Sequence, residues 1–117
     1  MSWFQIFLKQ PSESYRRGDV IFQRGDAADR MFVVAEGEVE LALGDTIVDV
    51  VGPEAIFGEM ALVTKEPRSA TARARSDCHV VAIPEKRFLY LVQETPHFAL
   101  EVMRVMASRL RRHDPSP

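Results

Sequence analysis

The chain has one cysteine in 117 residues. No internal disulfide can form, and a lone thiol fits a reducing compartment. Cys78 sits in the apolar run CHVVAI, where a buried, inert thiol is expected rather than a nucleophile. Histidine is as sparse. His79, His97 and His113 lie far apart, and none stands at metal-ligand spacing from another. No Ser/His/Asp or Cys/His arrangement is evident from spacing. An enzyme is therefore not expected, and neither a metal nor a cofactor is implied. No apolar run approaches the roughly 18 residues of a membrane span. The N-terminal MSWFQIFLKQ has no basic residue before its apolar stretch and no small-residue cleavage site, so it does not read as a signal peptide. These absences together point to the cytoplasm. The net charge of -2 gives no reason to expect nucleic acid as the main partner.

What is present suits one compact domain. At 46% hydrophobic and 27% charged, the chain can bury a core and stay in solution. The charge is unevenly spread. From Asp26 to Glu59 there are nine acidic residues and one basic, Arg30. Arg104, Arg109, Arg111 and Arg112 make the C-terminus basic, and a solvated helix face is the expectation there.

From Tyr15 to about Ile83, short β runs alternate with turn residues. DVIFQ precedes the turn RGDAAD; MFVVAEG and EVELAL follow, then TIVDVVG. In EVELAL, Val39, Leu41 and Leu43 alternate with Glu38, Glu40 and Ala42, which predicts a strand with one wet face. Gly44-Asp45 suits a tight hairpin turn. Gly18, Gly25, Gly37, Gly44 and Gly52 recur every seven to twelve residues, the spacing of a sandwich, jelly roll or related barrel.

After Pro84 the texture becomes helical. EKRFLYLVQE and PHFALEVMRVMASRLRR lack β alternation. Pro84 and Pro96 stand where a first helical turn tolerates proline, and Thr95 suits an N-cap. The organisation expected is a short N-terminal segment over 1–14, a β-roll over 15–84, helices over 85–112 and a tail over 113–117. In the last helix Leu100, Met103, Ala107 and Leu110 form a stripe that Val102, Val105 and Met106 broaden. Part of it should cover the β-roll; the remainder either packs internally or pairs with another chain.

One stretch, FGEMALVTKEPRSATA over 57–72, carries chemistry. Gly58 permits a backbone conformation and a close approach that a side chain would block. EMAL can form a short helix whose first N–H groups are unpaired and suit an anion. Arg68 follows a stiffening proline, and Ser69 adds a hydroxyl. A planar guanidinium beside such donors matches a phosphate, while Glu59 can accept hydrogen bonds from a sugar hydroxyl. The plain alternative is an intramolecular Glu59–Arg68 ion pair on a loop.

This stretch resembles the phosphate-binding cassette of cyclic nucleotide-binding domains, which occur in catabolite-activator-type regulators, cyclic-nucleotide-gated channels and cyclic-nucleotide-dependent kinases. GDVIFQRGDAADRMFVVAEGEVEL, 18–41, resembles the glycine-punctuated early strands of the same domain. The two matches, in order, cover most of the chain from Gly18 onward. The resemblance implies a mainly β fold, a double-stranded β-helix (a jelly-roll-like β-roll) with flanking C-terminal helices.

It also implies roles. Arg68 would meet the exocyclic oxygens of the cyclic phosphate, and Glu59 would accept the ribose 2′-hydroxyl. Gly58, Met60 and Ala61 would line the ligand with their backbone, with Ser69 adding a hydroxyl and Ala70 an N–H. The side chains of Met60 and Leu62 are expected in the core, and Gly37 and Gly52 as structural turns. Family members that prefer cGMP often carry threonine at the position of Ser69, so cAMP is favoured over cGMP. The purine is often capped from the C-terminal helix or a lid beyond it. The seventeen residues from Pro96 to Arg112 span about 25 Å as a helix, with no aromatic after Phe98, so no capping residue is assigned.

The expected function is a ligand-driven switch. The phosphate draws the 57–72 loop inward, Met60 and Leu62 follow, and the helices after Pro84 repack. The partners implied are the cyclic nucleotide and a second copy through the last helix, with no DNA-binding element and no membrane span in these residues. The rival is a fold of this family that has lost its ligand and serves as an interaction or dimerisation module. An intact Glu59/Arg68 pair argues against it.

Overall fold

The computed structural model describes residues 10 to 113, with side chains as far as Arg111. The readings of residues 1–9, of the Arg112 and His113 side chains and of the tail from Asp114 lie outside the described residues. The strands are β1 (Glu13–Tyr15), β2 (Val20–Phe22), β3 (Arg30–Glu36), β4 (Val39–Leu43), β5 (Thr46–Val51), β6 (Ile56–Phe57), β7 (Thr71–Ala74) and β8 (Cys78–Pro84). Helix α1 (Glu59–Thr64) lies between β6 and β7, and α2 (Glu85–Glu94) and α3 (Pro96–His113) follow β8. The strands form two antiparallel sheets, ordered β1-β8-β3-β6 and β2-β7-β4-β5. This is the jelly-roll-like β-roll with C-terminal helices that the resemblance implies.

The run MFVVA belongs to a strand buried on both faces, so its hydrophobicity is continuous rather than alternating. Along β3, Phe32 and Val34 point between the two sheets, packing with Val39, Leu41, Phe57, Ala72 and Val80. Met31 and Val33 point the other way, against Phe88 and Leu91 of α2 and Phe98 and Val102 of α3. β8 divides likewise, with Cys78 and Val80 inside the roll and Val81 and Ile83 beneath the helices. The sheet holding β3 is thus the middle of three layers. Cys78 is buried as expected, and burial raises its thiol pKa, with Asp77 and Asp19 adding to the rise.

Three expectations need correction. The β-roll begins at Glu13, two residues before the expected boundary, because Glu13 and Ser14 pair with Val80 and His79. A three-residue strand with polar ends carries little sequence signal. In β4 burial does not follow the alternation: Ala42 is 2% exposed while Leu43, the last residue before the hairpin turn, is 39% exposed. Beside them β5 carries a bulge, since Leu41 pairs with Asp49 but Ala42 pairs with Ile47. The extra residue on β5, Val48, puts two successive β5 side chains on one face. Finally, His113 belongs to α3 rather than to the tail.

The glycine at position 37 is required by space as well as by backbone. Its φ is +83°, and a Cβ there would stand 2.4 Å from the Asp77 carbonyl oxygen. Thr95 marks the α2–α3 boundary through its backbone: its N–H donates to Leu91 at 2.8 Å, and its carbonyl accepts from Phe98 at 3.0 Å.

The apolar stripe of α3 divides between interior and solvent. Phe98 and Val102 are buried, with Phe98 packed edge-on to Phe88 at 6.0 Å. Val105 and Met106 border this cluster. Leu100, Met103 and Leu110 face outward, at 43%, 58% and 59% exposure. Leu89 and Tyr90 of α2 are also exposed. Among the described residues, no helix is long and apolar enough to cross a membrane.

Candidate functional site

The residues from Gly58 to Ala70 form α1 and the loop that returns to β7. Gly58 is the N-cap of α1 in left-handed conformation, φ 79°. A Cβ at that position would stand 2.9 Å from a terminal nitrogen of Arg68. The glycine is therefore needed twice, for its φ and for the close approach of a guanidinium. At the other end of the loop, the Arg68 N–H donates to the Asp26 carbonyl at 2.9 Å, and the Gly25 N–H donates to the Arg68 carbonyl at 2.8 Å. The RGDAAD turn is thus the clamp that holds Arg68 in place.

The Arg68 side chain is 5% exposed. Nη1 donates to the Gly58 carbonyl at 2.7 Å and Nη2 to the Arg30 carbonyl. The guanidinium lies over the Phe22 ring, 4.1 Å from its centroid. Nε is buried without a partner. Among the described residues no carboxylate forms an ion pair with Arg68. Burial lowers its pKa, Arg30 pushes the same way, and Asp29, Glu59 and Asp26 offset part of the effect. The intramolecular Glu59–Arg68 pair considered from the sequence does not form.

Glu59 is fully buried, although it is the first residue of a surface helix. One carboxylate oxygen, Oε1, accepts from Nη1 of Arg109, fifty positions away. The other, Oε2, is buried without a partner. Arg109 reaches Glu59 from the far end of α3. Its Nε donates to Oδ2 of Asp49 at 3.0 Å and its Nη2 to the Ile56 carbonyl at 2.8 Å. The expectation of a solvated basic face therefore fails at this position. Arg104 and Arg111 are exposed, but Arg109 is 9% exposed. It lies on the inward stripe with Phe98, Val102 and Val105, where a helix places residues three and four apart.

Gly58, Glu59, Met60, Ala61, Arg68, Ser69 and Ala70 all line one pocket of about 660 Å³ including its mouth. Met60, expected in the core, is half-buried on the pocket wall, whereas Leu62 is buried against the helices. Sequence reasoning missed Phe22, Leu41, Val48, Asp49, Arg109 and Leu110, which complete the wall. The signals were faint: one acid inside the apolar TIVDVV, and one arginine on the apolar stripe of α3. Phe98, the last aromatic, is in the core and not at the pocket; α3 instead brings Arg109 and Leu110 to it.

Elsewhere, the β1–β8 register brings Ser14 and His79 together, Oγ to Nδ1 at 2.9 Å, with Glu36 3.8 Å from Nε2. Spacing did not reveal this trio. It lies at the surface, with the Glu36 side chain 77% exposed, unlike the buried acid that orients a catalytic histidine. Among the described residues no group of three or more His, Cys, Asp or Glu side chains is placed to hold a metal ion.

Comparison with known proteins agrees with this geometry. The family profile of the cyclic nucleotide-binding domain matches residues 12–95. The cyclic AMP receptor protein of Thermus thermophilus is 34% identical over 119 residues, covering 97% of this chain and 52% of that protein. A cyclic nucleotide-gated potassium channel of Mesorhizobium japonicum is 39% identical over 94 residues, covering 80% of this chain and 26% of the channel. The chain thus spans about half of one relative and a quarter of the other. A solved structure described as cAMP-bound PfPKA-R superposes with a TM-score of 0.77 at 26% identity, over 87% of this chain and 35% of that one. The fold, the pocket and the profile match converge, and the chain belongs to the cyclic nucleotide-binding domain family.

Proposed function

We propose that this domain binds a cyclic nucleotide, cAMP in preference to cGMP, and acts as a ligand-driven switch rather than as an enzyme. The observation that carries the reading is a pair of unmet demands in one pocket. Arg68 is a buried cation without a carboxylate, and two of its five N–H donors are used on carbonyls. Glu59 presents a buried oxygen with no donor. Unpaired buried charge is costly. A ligand that joins an anion to a hydroxyl meets both demands at once, and a cyclic phosphate fused to a ribose is such a ligand. Ser69 and Ala70 lie on the same wall. The preference for cAMP is supported by the Thermus relative, which is named for it, and by the cAMP-bound neighbour.

The switch reading rests on two links from the pocket to the helices. Leu62 of α1 packs in the same cluster as Phe88, Leu91, Phe98 and Val102, and Glu59 is tied to α3 through Arg109. A ligand that prefers one position of α1 therefore biases α2 and α3. The outward side chains Leu100 and Met103 are the surface that passes the signal on, with a second copy of the chain as the occupant this reading favours. A cytoplasmic setting goes with this reading.

Titration calorimetry with cAMP and cGMP, on the wild-type chain and on Arg68→Ala, tests it. The expected result is wild-type binding that weakens by about 100-fold or more in Arg68→Ala, the scale for losing one partner of a buried charge pair. A ligand at 100 times its dissociation constant adds about 2.7 kcal/mol of stability. No heat and no thermal stabilisation at millimolar ligand would instead leave the domain as a ligand-free interaction module.

A further inference from the structure

The ligand reading uses Arg68 and Glu59 and leaves Asp49 without a part, although its carboxylate is buried in the same pocket wall. Its placement has a specific cause. Successive residues of a strand normally point to opposite faces. The β4–β5 bulge skips Val48, so Val48 and Asp49 both reach the pocket while Ile47 turns to solvent. The Asp49 carboxylate is then held at both oxygens: Oδ1 accepts the Val50 N–H at 2.9 Å, and Oδ2 accepts Nε of Arg109 at 3.0 Å.

This contact decides how Arg109 meets Glu59. An arginine facing a single carboxylate favours the two-pronged arrangement, in which two N–H groups engage both oxygens. Arg109 does not adopt it. Its Nε goes to Asp49 and its Nη2 to the Ile56 carbonyl, so Nη1 alone is left to meet Oε1 of Glu59. Because the guanidinium is planar and rigid, two fixed anchors set the position of the third nitrogen. Oε2 of Glu59 consequently remains open.

We infer that Asp49 is a positioning residue for the nucleotide site: its hold on Nε, together with the Ile56 carbonyl on Nη2, fixes the Arg109 guanidinium so that Nη1 alone meets Glu59, and keeps Oε2 of Glu59 free to accept the ribose 2′-hydroxyl. The inference rests on the cyclic-nucleotide reading above. Without the Asp49 carboxylate, the guanidinium is held by the Ile56 carbonyl alone and can swing until Nη1 and Nη2 face both oxygens of Glu59, and the hydroxyl loses its acceptor. The phosphate contact at Arg68 is untouched.

The test compares cAMP with 2′-deoxy-cAMP on the full chain by titration calorimetry. Wild type should bind cAMP about tenfold or more tightly than the deoxy analogue, the scale for one hydrogen bond to a charged acceptor. Asp49→Ala should lose most of that preference, with the affinity for 2′-deoxy-cAMP within about twofold of wild type. Asp49→Asn, which retains an oxygen able to accept from Nε, should restore it. Asp49→Ser is too short to reach Nε and carries the same expectation as alanine, should the alanine variant not fold. If wild type prefers cAMP but Asp49→Ala and Asp49→Ser weaken both ligands equally, or keep the preference, the positioning role falls while the nucleotide reading stands. If wild type binds neither ligand, both fall together.

Discussion

Two buried arginines line the same pocket, and their surroundings differ in kind. Arg109 is answered by two carboxylates, Asp49 and Glu59, and by the Ile56 carbonyl. Arg68 is answered by two backbone carbonyls and an aromatic face, with its Nε left over. The first arrangement is closed within the chain and anchors α3 to the β-roll. The second is short of negative charge and suits an anion from outside. Burial and residue type alone do not distinguish a structural arginine from a binding one; the inventory of partners does.

The largest effect expected on stability comes from breaking the closed arrangement. Arg109→Ala strands two buried carboxylates and should lower unfolding free energy by about 3 to 5 kcal/mol, read from the shift in urea midpoint at pH 7. A loss below about 1 kcal/mol would mean that water reaches Asp49 and Glu59 and that the contrast with Arg68 is weaker than drawn.

Arg68→Ala removes a cation that no carboxylate depends on. Its cost in the absence of ligand should be about 1 to 2 kcal/mol, from the ring contact and the two carbonyls it serves. The two variants should therefore rank in opposite orders: Arg109→Ala the worse by denaturation, Arg68→Ala the worse by ligand-induced stabilisation. Finding the same order in both measurements would remove the division between anchor and binding site.

The smallest effect extends the contrast to a buried group that can give up its charge. An arginine stays cationic when buried, whereas the Cys78 thiol is kept neutral by burial. A raised folded-state pKa means that the folded chain holds the proton where the unfolded chain has released it. Cys78 therefore contributes stability below the ordinary thiol value and loses it as pH rises through that value towards the raised one. Tyr15, raised first by its burial and then by Glu13, slopes the same way at higher pH. Cys78→Ala should flatten the first part of the alkaline decline, measured by thermal unfolding across that range, without altering the profile near neutrality. An unchanged profile would show that the thiol does not titrate differently in the two states.

The cassette was legible because its parts are close in sequence. Gly58, Glu59 and Arg68 fall within one short helix and one loop, and the glycine requirement and the charged pair can be read from adjacent letters. The strands were legible wherever a face alternates, and the long apolar MFVVA fitted a strand sandwiched between a second sheet and the helices. What stayed hidden was the bulge in β5, which brings both Val48 and Asp49 to the pocket. A single extra residue leaves no mark on composition or periodicity until the partner strand is known.

Local periodicity and turn chemistry, which act over a few residues, were enough to indicate short strands followed by two C-terminal helices, and the resemblance to a known cassette pointed to the residues that gather at the pocket. Packing decided the rest. Asp49 and Glu59 lie 60 and 50 positions from Arg109, and nothing in their neighbours' identities states that the three will meet. An ionisable side chain in an apolar stretch announces that it needs a partner, but which partner it finds depends on how α3 lies across β5 and β6. Only the tertiary structure supplies that, because the ion pair forms after the hydrophobic faces have set the distance between the elements that carry it.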